Sequence, residues 1–83
     1  MAAYPKAFAA SNFTQLDDGR FVATLLANTH GLGTVFSVTR VIRRRDADLV
    51  WENVIPNYEI LPNGDFNLYT DELGTYRIYL MGD

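Results

Sequence analysis

Apolar side chains recur at every second position through the last third of the chain. Between Asn57 and Met81 the order Asn-Tyr-Glu-Ile-Leu-Pro-Asn-Gly-Asp-Phe-Asn-Leu-Tyr-Thr-Asp-Glu-Leu-Gly-Thr-Tyr-Arg-Ile-Tyr-Leu-Met predicts short strands joined by tight turns. A type I turn centred on Pro62 and Asn63, with Gly64 as the left-handed residue of the loop, sets Leu61 against Asp65, Ile60 against Phe66 and Tyr58 against Leu68. A tighter Asn-Gly turn would pair Ile60 with Asn67 and mix polar with apolar residues, so the longer loop is preferred. The same arithmetic on Asp71-Glu72-Leu73-Gly74, with Gly74 left-handed, sets Thr70 against Tyr76, Leu68 against Ile78 and Phe66 against Leu80. The expectation is a three-stranded meander. Its inner face is Tyr58, Ile60, Phe66, Leu68, Tyr76, Ile78 and Leu80, and its outer face is Glu59, Leu61, Asn67, Tyr69, Arg77, Tyr79 and Met81.

The preceding residues show the same short-strand grammar. Ser11 to Leu16 suggests an edge strand, and Asp17-Asp18-Gly19-Arg20 is a turn signal. Phe21 to Ala27 is apolar on both alternating sets, which suits a strand covered on both faces; a short helix is the competing reading, disfavoured because so brief a helix gains little alone. A loop at Asn28 to Gly33 leads into the β-branched run Thr34 to Arg43. The charged loop Arg44 to Asp48 then returns the chain as Leu49 to Val54, ended by Pro56. The class that follows is all-β, a small antiparallel sandwich or barrel of about six or seven strands.

Composition narrows this further. The chain has 83 residues, 48% of them hydrophobic, enough for one small core and too few for a second domain. Residues 1–10 read as a flexible or partner-bound arm and 11–83 as a single all-β domain. So small a core is marginal by itself, and an oligomer or larger assembly would supply further burial. The absence of cysteine excludes disulfides and thiolate metal sites. No apolar run reaches the length of a membrane span, and the opening residues lack the apolar segment of a signal peptide. A cytoplasmic or virion-associated place without membrane contact is the expectation. A formal charge of −3 argues mildly against a general nucleic-acid binder.

The run Glu72-Leu73-Gly74-Thr75-Tyr76-Arg77-Ile78 resembles the signature that leads into the penultimate strand of immunoglobulin-like sandwiches. That resemblance implies a corner tyrosine at Tyr76 whose hydroxyl bonds back to nearby backbone. The sequence departs from the family in three respects: Ile78 stands at the usual cysteine position, the strand is the last in the chain, and Trp51 lies late. In length, lack of cysteine and its closing strand the chain is also similar in style to small structural proteins of tailed-phage particles.

Two clusters qualify as candidate sites. Leu61, Tyr69, Arg77, Tyr79 and Met81 share the outer face of the expected meander, and tyrosine, methionine and arginine are enriched at interface cores. Opposite pairing of Tyr69 and Arg77 would equally serve as a cation–π contact within the sheet. Arg40, Arg43, Arg44 and Arg45, with Trp51 for stacking, form an alternative anion-binding group, because the guanidinium fork matches phosphate and carboxylate. A solvated hairpin tip neutralised by Asp46, Asp48 and Glu52 is the plainer account of it. His30 has no evident nucleophile or orienting partner. The acidic pairs Asp17/Asp18, Asp46/Asp48 and Asp71/Glu72 lack calcium-loop spacing and fit turn chemistry. No cofactor and no catalytic constellation is indicated. The function expected is a non-catalytic structural or protein-interaction module within a homo-oligomer or assembly, with nucleic-acid or anionic-ligand binding as the alternative.

Overall fold

Local hairpins supply the smaller part of the strand pairing, and pairings between distant parts of the chain supply the larger. The computed structural model describes residues 3–82; Met1, Ala2 and Asp83 lie outside the described residues. Its strands are β1 (Ala3–Phe8), β2 (Thr14–Gln15), β3 (Phe21–Leu25), β4 (Phe36–Arg44), β5 (Trp51–Asn53), β6 (Asn57–Ile60), β7 (Phe66–Thr70) and β8 (Thr75–Gly82). A 3-10 turn covers Ala10–Asn12, and a one-turn helix, α1, covers Ala27–His30. The strands pair antiparallel into two four-stranded sheets, ordered β1-β8-β4-β5 and β2-β3-β7-β6. The fold is therefore all-β and a small sandwich, with eight strands rather than six or seven.

The first turn of the expected meander is as the alternation requires. Tyr58 pairs with Leu68 and Ile60 with Phe66. Across the loop the Leu61 N–H donates to Asp65 O and the Gly64 N–H to Leu61 O, each at 2.8 Å, with Gly64 at φ +94°.

The second turn is not a hairpin, which corrects the three-stranded meander. β8 lies between β1 and β4 in the opposite sheet, while β7 is flanked by β3 and β6. Residues 71–74 form a corner between the layers, and Gly74 does not take the left-handed conformation expected of it. The Tyr76 hydroxyl donates to Glu72 O at 2.8 Å, and the Thr70 hydroxyl donates to the same carbonyl at 3.1 Å. Arg43 adds a salt bridge to the Glu72 carboxylate while its other nitrogen reaches Glu52 at 3.0 Å. Three groups thus converge on one residue and hold the chain in a corner where a hairpin would leave both hydroxyls without that acceptor.

Inward-facing residues are the same in either topology. Phe66, Leu68, Ile78 and Leu80 are at most 1% exposed and fill the space between the sheets with Phe8, Ala23, Leu25, Phe36, Val41 and Tyr76. At about 25 cal/mol per Å² of apolar surface removed from water, such side chains contribute about 1.5–3 kcal/mol each.

Two further expectations change. From Ala3 onward the segment read as an arm is the edge strand β1, with Tyr4 against Leu80, Lys6 against Ile78 and Phe8 against Tyr76. Its alternate residues Ala3, Pro5 and Ala7 face solvent, and Phe8 seals the core. β3 is covered on one side only, because Ala23 and Leu25 are buried whereas Thr24 is exposed and Val22 half-buried.

Candidate functional site

Register on the β1-β8-β4-β5 sheet decides which side chains share its outer surface. On β8 the outward positions are Arg77, Tyr79 and Met81, alternating with buried Tyr76, Ile78 and Leu80. On β4, Ile42 pairs with Arg77, Arg40 with Tyr79, Ser37 with Met81 and Arg44 with Thr75. A bulge between Val38 and Arg40 restores the alternation after Thr39, whose hydroxyl donates to Tyr79 O at 3.0 Å. On β5, Trp51 pairs with Arg44 and Asn53 with Ile42. Arg40, Arg44 and Arg77 therefore stand on one face with Trp51, Tyr79 and Met81, surrounding Ile42, which is only 6% exposed.

Aromatic rings orient these guanidinium groups. Arg77 lies 5.0 Å from the centre of the Trp51 ring and Arg40 lies 5.7 Å from that of Tyr79. Such contacts hold a cation over an apolar surface while leaving its N–H edges directed outward. Arg40 also donates to Asn53 Oδ1 at 3.3 Å. The Arg44 Nε is buried and makes no hydrogen bond among the described residues.

Charge is sorted between this face and one end of the sandwich. None of Arg40, Arg44 and Arg77 makes an ion pair among the described residues, whereas Arg20, Arg43 and Arg45 pair with Asp18, with Glu52 and Glu72, and with Asp48. Among the described residues, the sole acidic one in the strands of this sheet is Glu52, which is committed to Arg43. Asp17, Asp18, Asp46, Asp48, Asp71 and Glu72 all lie in the β2-β3 turn, the β4-β5 loop and the corner. Those segments adjoin, since Phe21 pairs with Thr70 and Arg44 with Thr75. Here the backbone N–H and guanidinium of Arg20 hold the Asp18 carboxyl below its ordinary 3.8. The Glu72 carboxylate beside it likewise pushes Arg43 further toward the charged form.

The two clusters expected from the sequence are thus regrouped. Tyr69 and Leu61 belong to the other sheet and its turn, so Tyr69 does not face Arg77. Tyr69 instead stacks with Arg20 at 5.0 Å and donates to Glu59, whose carboxylate raises the phenol above its ordinary 10.0. Arg43 and Arg45 leave the anion-binding group because both are ion-paired at the acidic end. What remains of each cluster merges into a single surface.

His30 is 5% exposed and has a different role. The Leu32 N–H donates to its Nδ1 at 2.9 Å, so the proton sits on Nε2, which donates to Gly64 O at 2.7 Å. Its ring packs 4.7 Å from Phe36, clasping the α1 loop to the β6-β7 turn. Among the described residues no group of three or more His, Asp or Glu side chains is placed to hold a metal ion, and no helix is long and apolar enough to cross a membrane. Comparison of the chain with protein families, characterised proteins and solved structures finds no match.

Proposed function

We propose that the chain is a non-catalytic structural module that works by association with copies of itself, the arginine face of one copy docking on the acidic end of the next. The sorting of the arginines carries this reading: those at the acidic end are ion-paired, and those on the face are not. Each copy offers both halves of the contact, so the interface is heterologous and closes into a ring or continues as a filament. β8 is eight residues long and the sheet four strands wide, which gives a face of roughly 26 by 14 Å, on the order of 400 Å². That is about half the surface per partner of a standard stable interface, so single contacts are weak and the assembly depends on concentration and salt.

Nucleic-acid binding would use the same face. It is the weaker reading because Trp51, the natural stacking platform, already carries Arg77 over its ring.

Sedimentation velocity over a range of concentration and salt tests the proposal. Wild type associates at low salt and dissociates as salt rises. Arg77→Glu and Asp71→Lys each abolish association alone, and mixing them at high concentration and low salt restores a heterodimer but no larger species, because the intact face of one meets the intact acidic end of the other. A wild-type monomer at all concentrations, or association indifferent to both substitutions, refutes it. Salt-sensitive binding of single-stranded DNA, lost in Arg77→Glu, with no self-association would favour the other reading.

A further inference from the structure

β5 is too short for the sheet it borders. It pairs with β4 only from Ile42 to Arg44, the Val54 N–H makes one last bond to Val41 O at 3.0 Å, and the chain then crosses to the other sheet through Val54–Pro56. Among the described residues no strand lies beside Phe36–Arg40 in the position that β5 would continue into. The vacant lane is a groove of about 280 Å³ lined by Val38, Arg40, Val41, Val54, Ile55 and Tyr58 among others. Two exposures mark it as uncovered. Tyr58 stacks on Phe66 at the inner face of the opposite sheet yet is 46% exposed, and Ile55 is 101% exposed.

We infer that this lane is a strand-addition site for an extended segment of a partner protein in which apolar and acidic residues alternate. Backbone N–H and C=O groups on an unpaired strand edge are a template for another strand. Residues of an added strand that point inward would cover Val38 and Tyr58, and those that point outward would pass Arg40, which is exposed and has no ion pair among the described residues. With a side-chain period of two, the apolar and acidic positions of the segment must alternate. A second copy of the chain does not fill the whole lane. Pairing two β4 edges about a two-fold axis, with Phe36 of each against Arg40 of the other, would send Val35 into the place opposite Val41 that Val54 already fills.

The lane adjoins the self-association face and shares Arg40 with it, so the test turns on Ile55, which lines the lane but not the face, and Arg77, which belongs to the face but not the lane. A library of random linear peptides is selected on the full chain, and enriched peptides are measured by fluorescence anisotropy against wild type, Ile55→Asp, Arg40→Glu and Arg77→Glu. Ile55 is fully exposed, so its substitution leaves the core untouched. The inference expects alternating apolar and acidic peptides, with binding weakened about tenfold or more by Ile55→Asp and by Arg40→Glu and little changed by Arg77→Glu. Amide exchange should slow within Phe36–Arg40 on binding, and proline in the middle of the peptide should abolish it. Absence of any enriched peptide, indifference to Ile55→Asp, or protection elsewhere overturns it. Binding lost in Arg77→Glu but not in Ile55→Asp would mean that the arginine face alone binds, which overturns the lane and leaves the proposed function standing.

Discussion

Replacing Gly64 by alanine should come close to unfolding the domain, and the cost can be apportioned. Gly64 has φ +94°, where a side chain costs about 1–2 kcal/mol. A Cβ there would sit 2.5 Å from Gly33 O and 3.1 Å from the Ala27 Cβ. The first neighbour is backbone, so no rotamer change relieves the clash; the two loops must separate. They are tied by the bond from His30 Nε2 to Gly64 O at 2.7 Å and by the Ala27 N–H donating to Asp65 Oδ1 at 2.8 Å. Separation forfeits at least one of these, about 1–3 kcal/mol for a group left unsatisfied. The sum is about 2–5 kcal/mol, against a total stability of about 4–12 kcal/mol for 83 residues. Gly31→Ala is the control: its φ is +65° but nothing lies within 4 Å, so it should cost about 1 kcal/mol. Thermal and urea unfolding followed by circular dichroism measure both, and the Gly64 variant should melt at least about 8 °C below wild type. If the two variants fall within about 0.5 kcal/mol of each other, the clasp between the α1 loop and the β6-β7 turn is not as described.

Other consequences are smaller. Tyr76→Phe removes only the hydroxyl that bonds Glu72 O, and should cost about 1 kcal/mol, or about 4–8 °C in Tm; no change would discount the corner bond. Nitrogen NMR of His30 should show the neutral Nε2–H tautomer, and finding the proton on Nδ1 would contradict the Leu32 hydrogen bond. Because the folded Asp18 carboxyl titrates below its ordinary 3.8, its contribution to stability is present above that value and is lost as pH falls through the lowered one. Carbon NMR titration should place it below 3.8, and an ordinary value would discount the Arg20 contacts.

How much of the fold could be read from the sequence turned on what alternation encodes. A period of two assigns each side chain to a face, and for Phe66, Leu68, Tyr76, Ile78 and Leu80 the assignment is correct. It carries no information about which sheet the next strand joins. Two strands side by side in one sheet and two strands facing each other across a sandwich both point their apolar residues at the same core. Turn chemistry separated these cases at Pro62-Asn63-Gly64, where a left-handed glycine closes a hairpin. It misled at Asp71 to Gly74, where the acceptor was a carbonyl shared by Thr70 and Tyr76 and the glycine is not left-handed; a Cβ there would meet the Arg43 Cγ and Cδ at 3.7 Å, an ordinary contact, so neither conformation nor space demands a glycine. The edge strand β1 was hidden differently, since Ala3, Pro5 and Ala7 look like an arm until Phe8 is seen to seal the core.

The candidate site followed from that same distinction. Arg40, Arg44 and Trp51 were identifiable as one group because β4 and β5 are a local hairpin, and Arg77, Tyr79 and Met81 as another because they alternate on one strand. Their union depends on β8 crossing to lie beside β4, a long-range pairing that no local pattern specifies. The crossing has an electrostatic consequence. Had β8 paired with β7, Arg77 would have faced Tyr69 in the same sheet as Glu59, and the unpaired arginines of β4 would have stood without it. The corner at Glu72 instead helps gather Asp17, Asp18, Asp46, Asp48 and Asp71 at one end with Arg43, and delivers Arg77 to a sheet whose only acidic side chain among the described residues is already taken. A chain with a net negative charge thereby presents a positive face, and it is on that separation of charge, more than on any individual residue, that the proposed self-association rests.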